Sequence, residues 1–127
     1  METIAPGGKL PIHRHDCEEI FLVLKGSGVA RIQAKDGTVV SARLQANTTF
    51  TVLPNSRHML ENDGTEDLHA IAVIDRAPMK VFVYQSWEDP YSSGQLVWPM
   101  FWDRQCPTKY PPAFSHLLGP QQKKQEL

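Results

Sequence analysis

Cysteine is scarce in this sequence. Cys17 and Cys106 are the two in 127 residues, too few for a disulfide framework, and they form no Cys-x-x-Cys pair. The redox compartment is left open by that count. An excess of positive charge is also lacking: 13 Lys and Arg stand against 14 Asp and Glu, so no broad basic field exists to hold phosphates by counterion release. Nucleic acid is therefore not an expected partner. No apolar run approaches the roughly 18 residues that a membrane helix needs, and no membrane span is expected. The first residues, Met1 to Gly8, have neither a basic start nor an apolar stretch ahead of a cleavage site, so nothing as written would direct export.

What is present fits one compact domain, large enough to bury a core and too small to split. Stretches rich in β-branched and aromatic residues recur from Glu19 onward and are separated by turn residues, an all-β rhythm. Ile20 to Leu24 runs into Gly26-Ser27-Gly28. Val29 to Ala34 runs into Lys35-Asp36-Gly37, and Val39 to Leu44 resumes, which predicts a meander with an Asp-Gly hairpin turn. Thr49 to Leu53, Leu68 to Ile74 and Lys80 to Tyr84 supply further strands, with Pro54-Asn55 and Asn62-Asp63-Gly64 as turns. From Pro107 the composition shifts to Pro, Gln and Lys. The division expected is a β-barrel domain over 1–106 and a C-terminal segment over 107–127, with one short helix at 113–118 and a loosely packed polar tail.

Two weak signals bear on location. The terminal Lys124-Gln125-Glu126-Leu127 differs at one position from the lumenal retention signal Lys-Asp-Glu-Leu. Asn47-Thr48-Thr49 is a glycosylation sequon.

The chemistry concentrates around four residues. His13 and His15, at i and i+2, point to the same face of an extended strand and can reach one ion. Glu19 lies six residues beyond His13. A straight strand would carry it about 20 Å away at about 3.3 Å per residue, so the chain must turn near Asp16-Cys17 for Glu19 to join. His58 must arrive from another strand. A lone His-x-His says little, but its surroundings say more: Gly7, His13, His15, Glu19 and Gly26 fall at the spacing of the first cupin motif throughout. Of the second motif only His58 and Asn62 remain. Asn47, Leu53 and Asn55 stand where two glycines and a proline are expected, and Asn accepts a left-handed backbone better than most residues.

A closer likeness runs over nearly the whole chain. Pro11-Ile-His-Arg-His-Asp-Cys-Glu-Glu-Ile-Phe21, Asn47-Thr-Thr-Phe50, Glu66-Asp-Leu68, Trp102-Asp103 with Cys106, and the terminal Lys-Gln-Glu-Leu resemble the auxin-binding proteins of plants. That family consists of glycosylated, dimeric cupins of the endoplasmic reticulum lumen, some of which reach the cell surface. Their zinc site takes the carboxylate of indole-3-acetic acid. The resemblance implies a cupin jelly-roll barrel, with His13, His15, Glu19 and His58 as zinc ligands, Trp102 stacking on the indole and a glycan on Asn47. Pro11 and Val81 fall at apolar pocket positions, and Met100 replaces an aromatic residue of the family's pocket wall. It also implies that this chain is an incomplete copy, missing a signal peptide and early strands upstream of Met1. Cys106 then lacks its N-terminal partner, and Cys17 matches a cysteine that stays free.

Three neutral imidazoles and one carboxylate around a divalent ion leave net positive charge and an open position, which attracts a carboxylate. No general base or nucleophile is evident. Glu18 is expected to point away from Glu19, and His69 sits in a strand with no recognisable partner. The expectation is a hormone-binding protein rather than an enzyme. The same ligands also suit manganese or iron, which would support a cupin enzyme acting on small organic acids. A metal-free storage protein is a further alternative, though it gives no reason for four ligands to persist.

Overall fold

The computed structural model describes residues 1–76 and 79–97. These carry β1 (Glu2–Ile4), β2 (Lys9–His15), β3 (Glu19–Lys25), β4 (Gly28–Gln33), β5 (Val39–Leu44), β6 (Thr49–Val52), β7 (His58–Glu61), β8 (Leu68–Ile74), β9 (Val81–Val83) and β10 (Gln95–Val97), with a 3-10 turn at Tyr91–Ser93. The strands form a four-stranded sheet, β1-β8-β3-β6, and a six-stranded sheet, β10-β9-β2-β7-β4-β5. Every pairing in both is antiparallel. The all-β expectation holds, and the expected strands lie within a residue or two of the observed ones.

The core forms where the two sheets face each other. Phe21 and Val23 from β3, Val52 from β6 and Leu68 and Ala70 from β8 meet Ala30, Leu44 and Leu60 from the other sheet. Period-two alternation produces this arrangement: in β3 Glu19, Phe21 and Val23 are buried while Ile20 and Leu24 are exposed. Glu19 therefore shares the inner face with the core, which a helical reading of the same residues would not give.

The meander expected from Ile20 to Leu44 is not formed. β4 and β5 do make a hairpin, closed by Gly37 at φ 93° and by the Asp36 carboxylate accepting from the Thr38 N–H at 2.9 Å. β3, however, pairs with β6 and β8, and β4 pairs with β5 and β7. The chain between β3 and β4 thus crosses from one sheet to the other. Gly26, at φ 89°, sits so close that an added Cβ would lie 2.5 Å from the Asp67 carbonyl, and at Gly28 it would lie 2.4 Å from that of Glu61. The two glycines read as hairpin residues instead permit this close crossing. The expected helix at 113–118 lies outside the described residues.

Candidate metal centre

β2 positions His13 and His15 on its inner face, and the β2–β7 pairing sets His58 directly opposite His13. After His15 the chain reverses through Asp16, Cys17 and Glu18 and re-enters the other sheet at Glu19. The carboxylate thus reaches the three imidazoles from across the sandwich, as the spacing of His13, His15 and Glu19 requires. His15, Glu19 and His58 are buried, and His13 is half-buried. One nitrogen from each histidine lies within 4.8 Å of the others. The ring centroids are 4.1 Å apart for His13 and His58 and 4.9 Å for His15 and His58.

Each imidazole is oriented by a main-chain carbonyl two residues away. Nδ1 of His13 donates to the Pro11 carbonyl at 2.7 Å, that of His15 to Cys17 at 3.0 Å and that of His58 to Ser56 at 2.9 Å. A carbonyl can only accept, so the hydrogen sits on Nδ1 and Nε2 is turned inward, the arrangement that fixes a histidine tautomer for metal ligation. Glu19 Oε1 lies 2.8 Å from His15 Nε2 and 3.6 Å from His58 Nε2. His58 Nε2 is fully buried and has no hydrogen-bond partner among the described residues. A buried unpaired nitrogen is costly. A divalent ion held by the three Nε2 atoms and Glu19 removes that cost, so the donor set fits a metal of the zinc, manganese or iron kind.

The electrostatics keep His13 neutral and Glu19 ionised while favouring a proton on His15. Burial pushes His13 down to about 3, reinforced by the neighbouring His58, against the Pro11 hydrogen bond. Burial also opposes a charge on His15, but the hydrogen bond and charge of Glu19 outweigh it and raise its pKa. Burial would raise Glu19; the hydrogen bond from His15 at 2.8 Å and the His58 imidazole nearby prevail and hold it at about 2. The carboxylate is thus ionised throughout the physiological range.

Of the remaining expected residues, Val81 pairs with His15 in β9 and is buried beside Cys17 and Met79, while Pro11 is exposed in β2. Asn47 is exposed in the β5–β6 turn. Met100, Trp102, Cys106 and the last four residues lie outside the described residues. Cys17 is free and fully buried. Glu18 is tied through its backbone to Asp75, and His69 has a partner that its sequence context did not suggest, Thr3 Oγ1 at 3.2 Å. Asn62, the other survivor of the second motif, is not a ligand. Its amide donates to the Ile4 and Glu66 carbonyls and accepts from the Gly64 N–H, pinning the loop after β7. The carbonyls of Pro11, Cys17 and Ser56 are the functional groups that sequence reading missed; every residue has a carbonyl, so no residue type marks them.

A two-sheet antiparallel jelly roll with three histidines and one glutamate gathered on its inner faces is a cupin with a candidate metal centre. Within that class, the family profile described as auxin binding protein matches residues 1–111, and the chain belongs to that family. It is 40% identical over 110 residues to auxin-binding protein 1 of Arabidopsis thaliana, covering 84% of this chain and 56% of the relative. Against auxin-binding protein T85 of Nicotiana tabacum it is 40% identical over 112 residues, covering 84% and 60%. An oxalate-binding protein of Thermotoga maritima is 35% identical over 72 residues, covering 56% and 55%. The chain therefore spans a little over half the length of the curated relatives it matches. Among solved structures, an oxalate oxidase superposes with a TM-score of 0.61 at 21% identity, covering 91% of this chain and 58% of its own, a likeness of fold.

Proposed function

We propose that this chain is an auxin-binding protein whose centre holds one zinc ion and, on it, the carboxylate of indole-3-acetic acid. The observation that carries the reading is the buried, unpartnered Nε2 of His58, turned toward two further imidazoles and an ionised carboxylate. A bound zinc ion supplies a Lewis acid with an open position for an anion. The chain's own part is to hold Nδ1 of all three rings on carbonyls, keep Glu19 ionised and line the approach with apolar groups such as Val81. Trp102 is assigned the stacking face for the indole, and Pro11, Val81 and Met100 the pocket wall, on the family resemblance. The relatives named as auxin-binding proteins support the hormone. The relative named as an oxalate-binding protein supports a carboxylate as anchor. The reading extends to a longer, homodimeric protein of the endoplasmic reticulum lumen, retained through Lys124 to Leu127. Exposure of Asn47 in a turn suits a glycan there.

Calorimetry of zinc-loaded and chelator-treated protein against indole-3-acetic acid and its uncharged amide tests this reading. The acid is expected to bind the loaded protein, with the amide and the chelated protein far weaker. Equal affinity for the amide, or no effect of chelation, sinks the carboxylate-on-zinc anchor. Manganese or iron in the purified protein would shift the reading to a metal-dependent enzyme of small organic acids.

A further inference from the structure

Asn55 stands where the second cupin motif has a glycine, and it keeps the left-handed backbone a glycine would take, at φ 64°. Its side chain adds a contact that a glycine cannot make: the amide oxygen accepts from the Arg14 guanidinium at 2.8 Å. The Asn55 N–H donates to the His15 carbonyl at 2.7 Å, and the Asn55 carbonyl accepts from the Tyr91 hydroxyl. The turn is therefore held by the main chain of one β2 histidine, by the arginine between the two β2 histidines, and by the loop after β9.

Arg14 is itself fixed. Alternation along β2 turns it away from His13 and His15 and toward Phe82, its register partner in β9. The guanidinium lies 4.3 Å from the Phe82 ring centroid and 5.1 Å from that of Tyr91. Its Nε–H donates at 2.7 Å to the Tyr84 hydroxyl, which donates in turn to the Tyr91 carbonyl at 2.8 Å. A planar fork stacked on rings and bonded at two nitrogens has little freedom left. Beyond Asn55 comes Ser56, whose carbonyl accepts the Nδ1–H of His58 at 2.9 Å. Ser56 is tied on its other side through its hydroxyl to the Gln33 carbonyl of β4 at 3.0 Å. The acceptor that turns His58 Nε2 inward thus stands between two anchors, and the Asn55 anchor carries the link to β2.

We propose that Arg14 and Asn55 are positioning residues for the candidate metal centre: their hydrogen bond holds the turn that presents the Ser56 carbonyl to His58, and so registers the β7 imidazole against the two of β2. The orientation of His58 is a property of the metal-free chain. Its consequence, tighter zinc binding, rests on the reading given under Proposed function. Neither side chain touches the three imidazoles, and both act through the main chain of Ser56.

Nitrogen NMR of the imidazoles in the chelator-treated full chain, at a pH of about 8 where an unperturbed imidazole is neutral, reads tautomer and proton exchange; competition against a chelator reads zinc affinity. Asn55→Gly keeps the left-handed turn and removes the acceptor, Asn55→Asp keeps both, and Arg14→Leu removes the donor. Wild type and Asn55→Asp are expected to hold His58 in the Nδ1–H form with slow exchange of that proton. Asn55→Gly and Arg14→Leu are each expected to speed the exchange about tenfold and to weaken zinc binding about tenfold, the low end for groups that orient a ligand from outside. His13, held by the Pro11 carbonyl, is expected to stay as in wild type, which a general loosening of the barrel would not allow. The double variant should be no worse than either single one, because both cut the same bond. An unchanged His58 in both single variants, an equal change at His13, or additive losses in the double variant would each overturn the positioning role. The expected His58 changes in a protein that takes up no zinc would uphold the positioning and count against the zinc reading alone.

Discussion

His13 should make the metal-free protein lose stability on mild acidification. Its pKa is lowered from 6.5 to about 3 in the fold, so between those values the unfolded chain takes up a proton that the folded chain refuses. Stability then falls as pH falls, by at most about 1.4 kcal/mol per pH unit, or about 2 kcal/mol between pH 6.5 and 5.0. His13 is only half-buried, which reduces the expected loss to about 1–2 kcal/mol. The neighbouring pair does not add to this slope. Glu19, held at about 2, contributes stability that is lost below its unfolded value of 4.5, under this window. His15, raised, contributes stability that is fully present below 6.5 and is lost as pH rises through its folded value. Glu2 opposes His13: burial first, and then the charge of Glu19, raises its carboxyl, so its contribution weakens as pH increases through the folded value. The variant His13→Asn retains a donor for the Pro11 carbonyl and loses the titration, so the comparison with wild type isolates the one residue. Urea midpoints measured in chelator at pH 5.0 and 6.5 should move further apart for wild type than for the variant by about 1–2 kcal/mol once multiplied by the slope. The same separation in both proteins, or an NMR titration of His13 near 6.5, would refute the burial argument.

Removing one ligand should abolish stoichiometric zinc, since His13→Ala or His58→Ala leaves three of four protein donors; elemental analysis of the purified variants checks this, and full occupancy in both would mean a different ligand set. Asn47, at φ 73°, should tolerate glycine with little loss, whereas Asn47→Val should cost about 1–3 kcal/mol in denaturant unfolding. Asn62→Ala strips the loop after β7 of three hydrogen bonds and should cost about 2–4 kcal/mol, read as a drop in melting temperature; a change under about 0.5 kcal/mol would show that water replaces the amide.

Strand positions were legible because alternation leaves a direct trace: Val39 to Leu44 and Leu68 to Ile74 coincide with β5 and β8. Pairing was not. Ile20 to Leu24 followed by Gly26-Ser27-Gly28 has the composition of a hairpin, whereas the strand pairings show that the chain changes sheets there, through close approaches that exclude a Cβ at Gly26 and Gly28. Short strands were also hidden. β7 begins at His58 and includes just Met59 and Leu60 as apolar residues, too few for a period to register. At Asn47 and Asn55 the loss of motif glycines looked like decay of the second motif. Both residues adopt the left-handed backbone, at φ 73° and 64°, so the turn geometry survives with a different residue type.

The gathering of His13, His15, His58 and Glu19 was legible for a related reason. His13 and His15 are fixed relative to each other by a strand's period, and the distance to Glu19 forces a reversal whatever the rest of the chain does. What the spacing cannot express is which ring nitrogen faces inward. That is decided by the carbonyls of Pro11, Cys17 and Ser56, each two residues from the histidine it holds. Two of the three belong to residues placed N-terminal to their histidine, and the third to Cys17, at the bend that brings Glu19 back. The turn near Asp16-Cys17 therefore does two things at once: it returns the carboxylate to the site and supplies the acceptor that sets the His15 tautomer. A substitution that altered this bend would disturb the orientation of the His15 ring even with His13, His15, Glu19 and His58 all in place. Arg57 shows the converse limit. Next to His58 in sequence, it turns to Tyr84 and Tyr91 instead of the three imidazoles, a choice that the sequence alone does not express.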